Sequence, residues 1–232
     1  MIRINKYIAE SGISSRRKAE EYILQGRVIV NGKVVTDLSS QIDPYNDTVF
    51  VDDTKLKTKE KVYFLLNKPR GVITSTSDEK NRRTVVDLIN TKEKIFPVGR
   101  LDYNTTGLLL LTNDGDFSNQ LTHPSYKVDR VYIAHLDEDL KNSDKEKLVN
   151  GIYLDNRRSK FTQISFVEEK NFKIVKVVTV EGRNHFVKNM FSFLGYKVRE
   201  LRRESFGKFN TKGLQIGEYK ILTKQDIENL IK

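Results

Sequence analysis

The residue with most to explain is Asp102. It sits in "GRLDYNTTGLLLLTNDG" (Gly99–Gly115), two positions after Arg100, ahead of a threonine pair and four consecutive leucines. A carboxylate at the mouth of such an apolar run can ligate a metal, cap a turn, or act as nucleophile or base. Calcium is tested first. "DYNTTG" puts Asp102, Asn104, Thr106 and Gly107 in the first, third, fifth and sixth places of a calcium loop. The twelfth place, which must supply a bidentate Glu, is Asn113, and the flanks read as strand where helices are required. His123, His135 and His185 show no zinc-ligand spacing, and each reads as a hydrogen-bonded structural residue. There is no Gly-Lys-Ser/Thr phosphate loop, no glycine-rich dinucleotide fingerprint, and no cysteine to supply a thiolate. No metal and no cofactor are expected, which leaves the turn cap and cofactor-free chemistry.

Taken alone, Asp102 fits a turn cap, a common use of Asp. Two features favour chemistry. Arg100 is close enough to offset the cost of desolvating a carboxylate. Downstream, residues 180–212 hold Arg183, Lys188, Lys197, Arg199, Arg202, Arg203, Lys208 and Lys212 against Glu181, Glu200 and Glu204. A carboxylate paired with a cation at a strand edge can act as nucleophile or base on a substrate drawn in by basic surface. Local pattern leaves both readings standing.

The elements that must position these groups begin with a small module over residues 1–57. "RINKYIAESG" places Ile4, Tyr7 and Ile8 on one helical face. "SSRRKAEEYILQG" has Ser14 or Ser15 as N-cap, Ala19, Tyr22 and Ile23 as its stripe, and Gly26 as its stop. "RVIVNGKVV" is a hairpin about Asn31-Gly32, and "TVFVDD" is a further strand. The lysine-rich "DTKLKTKEK" (Asp53–Lys61) reads as linker, with residues 58–61 as the boundary piece. From Val62 to Lys232 the chain reads as a second domain rich in strands: "KVYFLLNK", "GLLLLTND", "RVYIAHL", "GIYLD", "TQISFVEE", "FKIVKVVTVEG", "YKVRELRRESFG" and "EYKILT". Here "NHFVKNMFSFLG" alone shows clear helical spacing, and "KQDIENLIK" closes the chain as a short helix. The fold class is α+β, with a mixed, mostly antiparallel sheet in the second domain.

Charge narrows the partner. The 232 residues carry 41 Lys and Arg against 31 Asp and Glu, a net charge of +10, so a polyanion is expected, nucleic acid before membrane. In the first module Arg3, Lys6, Arg16, Arg17, Lys18 and Arg27 lie on short helices and hairpin ends, where they can meet phosphates or simply form a solvated face. The N-terminus is too charged for a signal peptide, and no apolar run approaches a membrane span. A soluble cytoplasmic protein without a membrane partner is expected. Nothing marks a dimer interface, so a monomer is the default.

The stretch containing Asp102 closely resembles the catalytic motif of the RsuA/RluB family of ribosomal RNA pseudouridine synthases. "YFLLNKPRGVITS", "LTHPSYKVDRVY" and "EGRNHFVKNMFSFLGYKVRELRRESFG" resemble three further family motifs, in order. The first module is similar to the RNA-binding domain of the fourth small-subunit ribosomal protein. The resemblance implies that Asp102 is the catalytic aspartate, acting on ribose or base. It implies that Arg100 holds the flipped nucleotide or fills its gap, that the Tyr132 ring lies against the target base, and that Lys188 ion-pairs with the aspartate. Phe186 and Asn189 depart from the Gln and Arg often found at those places. "SDEKNRRTVVDLI" is similar to the large-subunit RluB branch, implying a uridine of 23S rRNA as substrate, within the RNA or a pre-ribosomal particle. The small-subunit branch acting on 16S rRNA, and a non-catalytic rRNA-binding or assembly protein, are the alternatives.

Overall fold

Ser15 caps its helix as the sequence leads one to expect: its hydroxyl accepts the Lys18 N–H at 3.2 Å. The structure, a computed structural model, describes residues 1–231. The chain divides into two compact units, Met1–Lys61 and Val62–Lys232.

The small unit holds β1 (Ile2–Arg3), α1 (Ile4–Glu10), α2 (Arg16–Leu24), β2 (Val28–Val30), β3 (Lys33–Val34), β4 (Gln41–Ile42), β5 (Val49–Val51) and β6 (Thr54–Lys55). β1 pairs with β4, and the other strands form a sheet in the order β3-β2-β5-β6. Ile4, Tyr7 and Ile8 of α1 meet Ala19 and Ile23 of α2 over this sheet in one buried cluster. Asn31 and Gly32 both have positive φ, the geometry a two-residue hairpin turn demands. The stretch read as linker starts later than its composition suggests. Thr54 and Lys55 pair with β5, and Leu56 is buried in the unit's core. Lys55 on this edge strand and Lys57 after it look like linker because both are exposed.

The large unit runs β7 (Tyr63–Lys68), β8 (Phe96–Pro97), β9 (Thr106–Thr112), α3 (Gly115–Thr122), β10 (Arg130–Leu136), α4 (Asn142–Asn150), β11 (Ile152–Leu154), β12 (Arg157–Ser159), β13 (Gln163–Glu168), β14 (Asn171–Thr179), α5 (Phe186–Phe193), β15 (Val198–Phe206), β16 (Phe209–Asn210), β17 (Tyr219–Leu222) and α6 (Lys224–Ile231). Nine strands form one sheet with the spine β13-β14-β10-β15-β9-β7-β17. Every pairing is antiparallel except β15 with β9. Among the described residues no helix is long and apolar enough to cross a membrane.

The four leucines explain themselves here. Leu109 and Leu111 enter the core on one face of the sheet, Leu108 and Leu110 the core on the other, and all four are fully buried. Burial of each contributes about 2 kcal/mol relative to exposure, so β9 is held from both sides. α5 covers one face with Phe186, Val187, Met190 and Phe191, and α3 covers the other with Phe117 and Leu121. Two helices went unread in the sequence. α3 buries only Phe117 and Leu121, and α4 only Leu148, which is too little apolar repeat to show a period. α3 does carry a start signal, since Asp114 accepts the N–H groups of Asp116 and Phe117.

Candidate active site

The parallel contact between β9 and β15 sets the site. Gly107 faces Arg203 so closely that a Cβ on Gly107 would lie 2.2 Å from the Arg203 carbonyl oxygen, and its φ is +101°. Only glycine satisfies both conditions. β9 is thereby held against β15, and the turn that precedes β9 opens into the cleft.

That turn is Asp102–Thr105, closed by the Thr105 N–H to the Asp102 carbonyl at 3.0 Å. Lys68, the last residue of β7, is buried beneath it. Its Nζ donates to the carbonyls of Pro69, Asp102, Tyr103 and Thr105 at 3.0–3.4 Å. Burial pushes the Lys68 amine down to about 8, against the opposing pull of the Asp102 charge. Thr74 adds a hydroxyl that donates to the Leu101 carbonyl at 2.7 Å. The loop backbone is thus gripped from below.

The Asp102 side chain is three-quarters buried and meets three groups. Lys188 Nζ donates to Oδ2 at 2.6 Å, the length of a strong charge-assisted bond. Thr105 Oγ1 donates to the same oxygen at 3.4 Å, long for a hydroxyl donor. His185 Nε2 stands 3.4 Å from Oδ1. Among the described residues no backbone N–H reaches the carboxylate, so the turn is closed by backbone alone and the Lys188 ion pair is the strongest contact the side chain makes. His185 precedes α5 with φ +52° and makes no side-chain cap, a strained backbone for a non-glycine residue. A single turn of helix carries Lys188 to the other carboxylate oxygen. Reading His185 as a structural residue missed this contact; its place three residues before Lys188 was the available signal.

Arg100, Asp102 and Tyr132 line one cleft, with Lys188 reaching it through Asp102. Tyr132 is buried on β10, and Arg100 is exposed. Two further cations form the interior. Arg130 is buried and donates to the carbonyls of Val128, Val180 and Leu121. Desolvation lowers its pKa. Arg203 is 2% exposed and donates Nε to the Leu108 carbonyl at 2.8 Å, while its Nη2 is buried without a partner among the described residues. Both guanidiniums lie within 5 Å of the Phe206 ring centre. Arg203 was counted in the basic run from charge alone. Nothing in its spacing marks it as interior.

The cations of the small unit are held differently. Arg3, Arg16 and Arg17 are exposed, and Lys6 is half-buried. Lys18 pairs with Glu21. Arg27 forks onto Asp52 and lies 4.2 Å over the Tyr22 ring.

The profile of the family described as RNA pseudouridylate synthase matches residues 62–193, and that of the S4 domain matches residues 2–48. A ribosomal large subunit pseudouridine synthase B of Bacillus subtilis is 42% identical over 99% of this chain and 96% of its own length. An uncharacterized RNA pseudouridine synthase of Aquifex aeolicus is 40% identical over 100% of this chain and 94% of its own length. A crystal structure of a pseudouridylate synthase superposes with a TM-score of 0.69 at 33% identity, covering 99% of this chain and 100% of the other. With Asp102, Lys188 and Tyr132 gathered at one cleft and these likenesses spanning both units, the chain belongs to the RNA pseudouridine synthase family, with an S4 domain at its N-terminus.

Proposed function

We propose that this protein isomerises a uridine of 23S ribosomal RNA to pseudouridine, with Asp102 acting on a flipped-out nucleotide. The observation that carries the reading is the 2.6 Å pair between Lys188 and Asp102 in the cleft that Tyr132 lines. The large-subunit substrate rests on the likeness to the Bacillus subtilis enzyme over nearly the whole of both chains.

In the reaction the N1–C1′ bond breaks, the base turns, and a C5–C1′ bond forms. The C5 proton leaves and N1 gains one, so atoms and electrons balance without an oxidant or a donated group. Lys188 and Thr105 both engage Oδ2, while Oδ1 has His185 alone at 3.4 Å, so Oδ1 is the oxygen that reaches ribose or base. Lys188 supplies the counter-charge, and Lys68 fixes the backbone from which the carboxylate projects. The Tyr132 ring supports the extruded base. Arg100, at the exposed rim, grips the flipped nucleotide or fills the gap it leaves. A uridine in a loop or bulge costs least to extrude.

The RNA is held by phosphate contacts from Arg3, Lys6, Arg16, Arg17, Lys18 and Arg27. Lys18 and Arg27 exchange Glu21 and Asp52 for phosphate on binding, at little cost because exposed ion pairs are weak and screened by water. The enzyme acts as a monomer in the cytoplasm, on rRNA or a pre-ribosomal particle. The test is tritium release from 23S rRNA labelled at uridine C5, with 16S rRNA in parallel. Release from 23S rRNA by the wild type is expected, with binding but no release by Asp102→Ala. Release from 16S rRNA alone would move the substrate to the small subunit, and binding without release on either would make this a non-catalytic RNA-binding protein.

A further inference from the structure

β11 and β12 form a two-stranded ribbon apart from the nine-stranded sheet. Their turn, Asp155-Asn156, has φ of 52° and 57°, the paired positive values of a tight two-residue hairpin. Ile152 stands opposite Ser159, and both are buried, so one side of the ribbon faces the protein. On the other side Tyr153 stands opposite Arg158, and the tyrosine is 71% exposed. Arg157, opposite Leu154 at the turn end of the Ile152 side, and Lys160 are exposed too, and among the described residues neither makes an ion pair. Arg158 donates to the Asn150 carbonyl at 2.9 Å and meets no carboxylate among the described residues.

This composition serves no core. A ring open to solvent, with a guanidinium across the ladder and two more cations within a few residues, is a stacking surface with phosphate-binding groups around it. Its position is tied to the catalytic cleft by one side chain. Arg183 lines the cleft, donates Nη2 to Ser159 Oγ, and holds Nη1 3.7 Å from Asp155 Oδ2. The same guanidinium donates Nε to Glu181 at 2.9 Å and lies 5.1 Å from the ring centre of Phe186, at the start of the helix that carries Lys188. The ribbon is therefore one arginine side chain away from the cleft.

We infer that the β11–β12 ribbon is an RNA-docking arm of the catalytic unit, which stacks an unpaired base on Tyr153 and holds flanking phosphates with Arg157, Arg158 and Lys160. The bound segment is single-stranded RNA next to the uridine in the cleft. This inference rests on the rRNA-modifying reading above. A double-stranded segment would offer no free base face, and an acidic protein partner would use the cations without the ring.

The experiment measures binding of a 23S rRNA transcript by the full chain across a salt series, with tritium release followed alongside. Tyr153→Ala is expected to weaken binding about 10-fold, the size of one lost base stack, and Tyr153→Phe to keep wild-type affinity. Arg157→Ala/Arg158→Ala is expected to lower the slope of log K against log salt by about 1.4, or about 0.7 per phosphate on a single strand. The double lysine replacement should restore that slope. Release at low RNA concentration should fall in step with affinity. Wild-type affinity and salt slope in Tyr153→Ala and the double alanine variant would overturn the arm. So would equal losses in Tyr153→Phe and Tyr153→Ala, since the ring would then not be what binds. If the wild type itself neither binds nor releases tritium from rRNA, the underlying reading fails, a result distinct from an active wild type with indifferent ribbon variants.

Discussion

The cations of the small unit and those of the cleft contrast in how they are held. On α2, Arg16 and Arg17 project into water, and Lys18 is balanced by Glu21 within one helical turn. In and beneath the cleft, Arg130, Arg203 and, under the Asp102 turn, Lys68 are buried, and none of them pairs with a carboxylate among the described residues; their protons go to backbone carbonyls. Water screens the first set, which can shift partners freely. The second set is fixed by the sheet and the loop, at a desolvation cost that folding bears in advance. The contrast suits a division of labour in which exposed, exchangeable cations gather a polyanion and buried, fixed ones orient one nucleotide of it.

The sharpest way to break this comparison is at Asp102. Asp102→Ala should reduce tritium release from rRNA to background while RNA affinity stays within a few-fold, measured by filter binding. If binding collapses with it, the cleft also gathers RNA and the division fails. Gly107→Ala comes next. A Cβ there meets the Arg203 carbonyl at 2.2 Å, so the β9–β15 contact must open, at a cost of about 3 kcal/mol or more. Denaturant unfolding should show it as a lower midpoint.

Lys68→Met tests the buried set directly. Three carbonyls of the Asp102 turn, and that of Pro69, lose their donor, the Asp102 backbone loosens, and release should fall about 100-fold, the scale of a misplaced reacting group. The pH dependence has a defined sign. Because the folded amine lies at about 8, below its ordinary 10.5, the unfolded chain binds more protons between those values. The stability of the wild type relative to Lys68→Met should therefore rise as pH climbs from 8 to 10.5, and flatten below 8. A flat difference across that window would mean the amine is not desolvated. The smallest effect is expected on α2. Arg16→Ala/Arg17→Ala should change stability by less than about 0.5 kcal/mol and lower the salt slope of RNA binding by about 1.4. An unchanged slope would remove α2 from the RNA surface.

Much of the scaffold is legible in the sequence. The Ile4–Tyr7–Ile8 spacing, the Ser15 cap, the Asn31-Gly32 turn and the long strands follow local rules, and local rules hold when tertiary contacts agree with them. α3 and α4 escaped because each buries one or two side chains. Lys68 and Arg203 escaped because a Lys or Arg in a strand looks the same whether its head meets water or a ring of carbonyls. His185 escaped because its one signal, a place three residues before Lys188, points to Asp102 only once Lys188 is paired with it across the chain.

By itself, the amino-acid order determined that a carboxylate would stand at the start of a strand buried on both faces, with a cation nearby and a polyanion as partner. These are properties of patterning and charge, and they survive any arrangement of the remaining elements. Only the tertiary structure decided which cation reaches which oxygen. Lys188 takes Oδ2 and His185 faces Oδ1 because α5 packs on the sheet beside a turn that Lys68 clamps and Gly107 lets close on β15. Such distances depend on the packing of segments far apart in the chain, and no local preference encodes them.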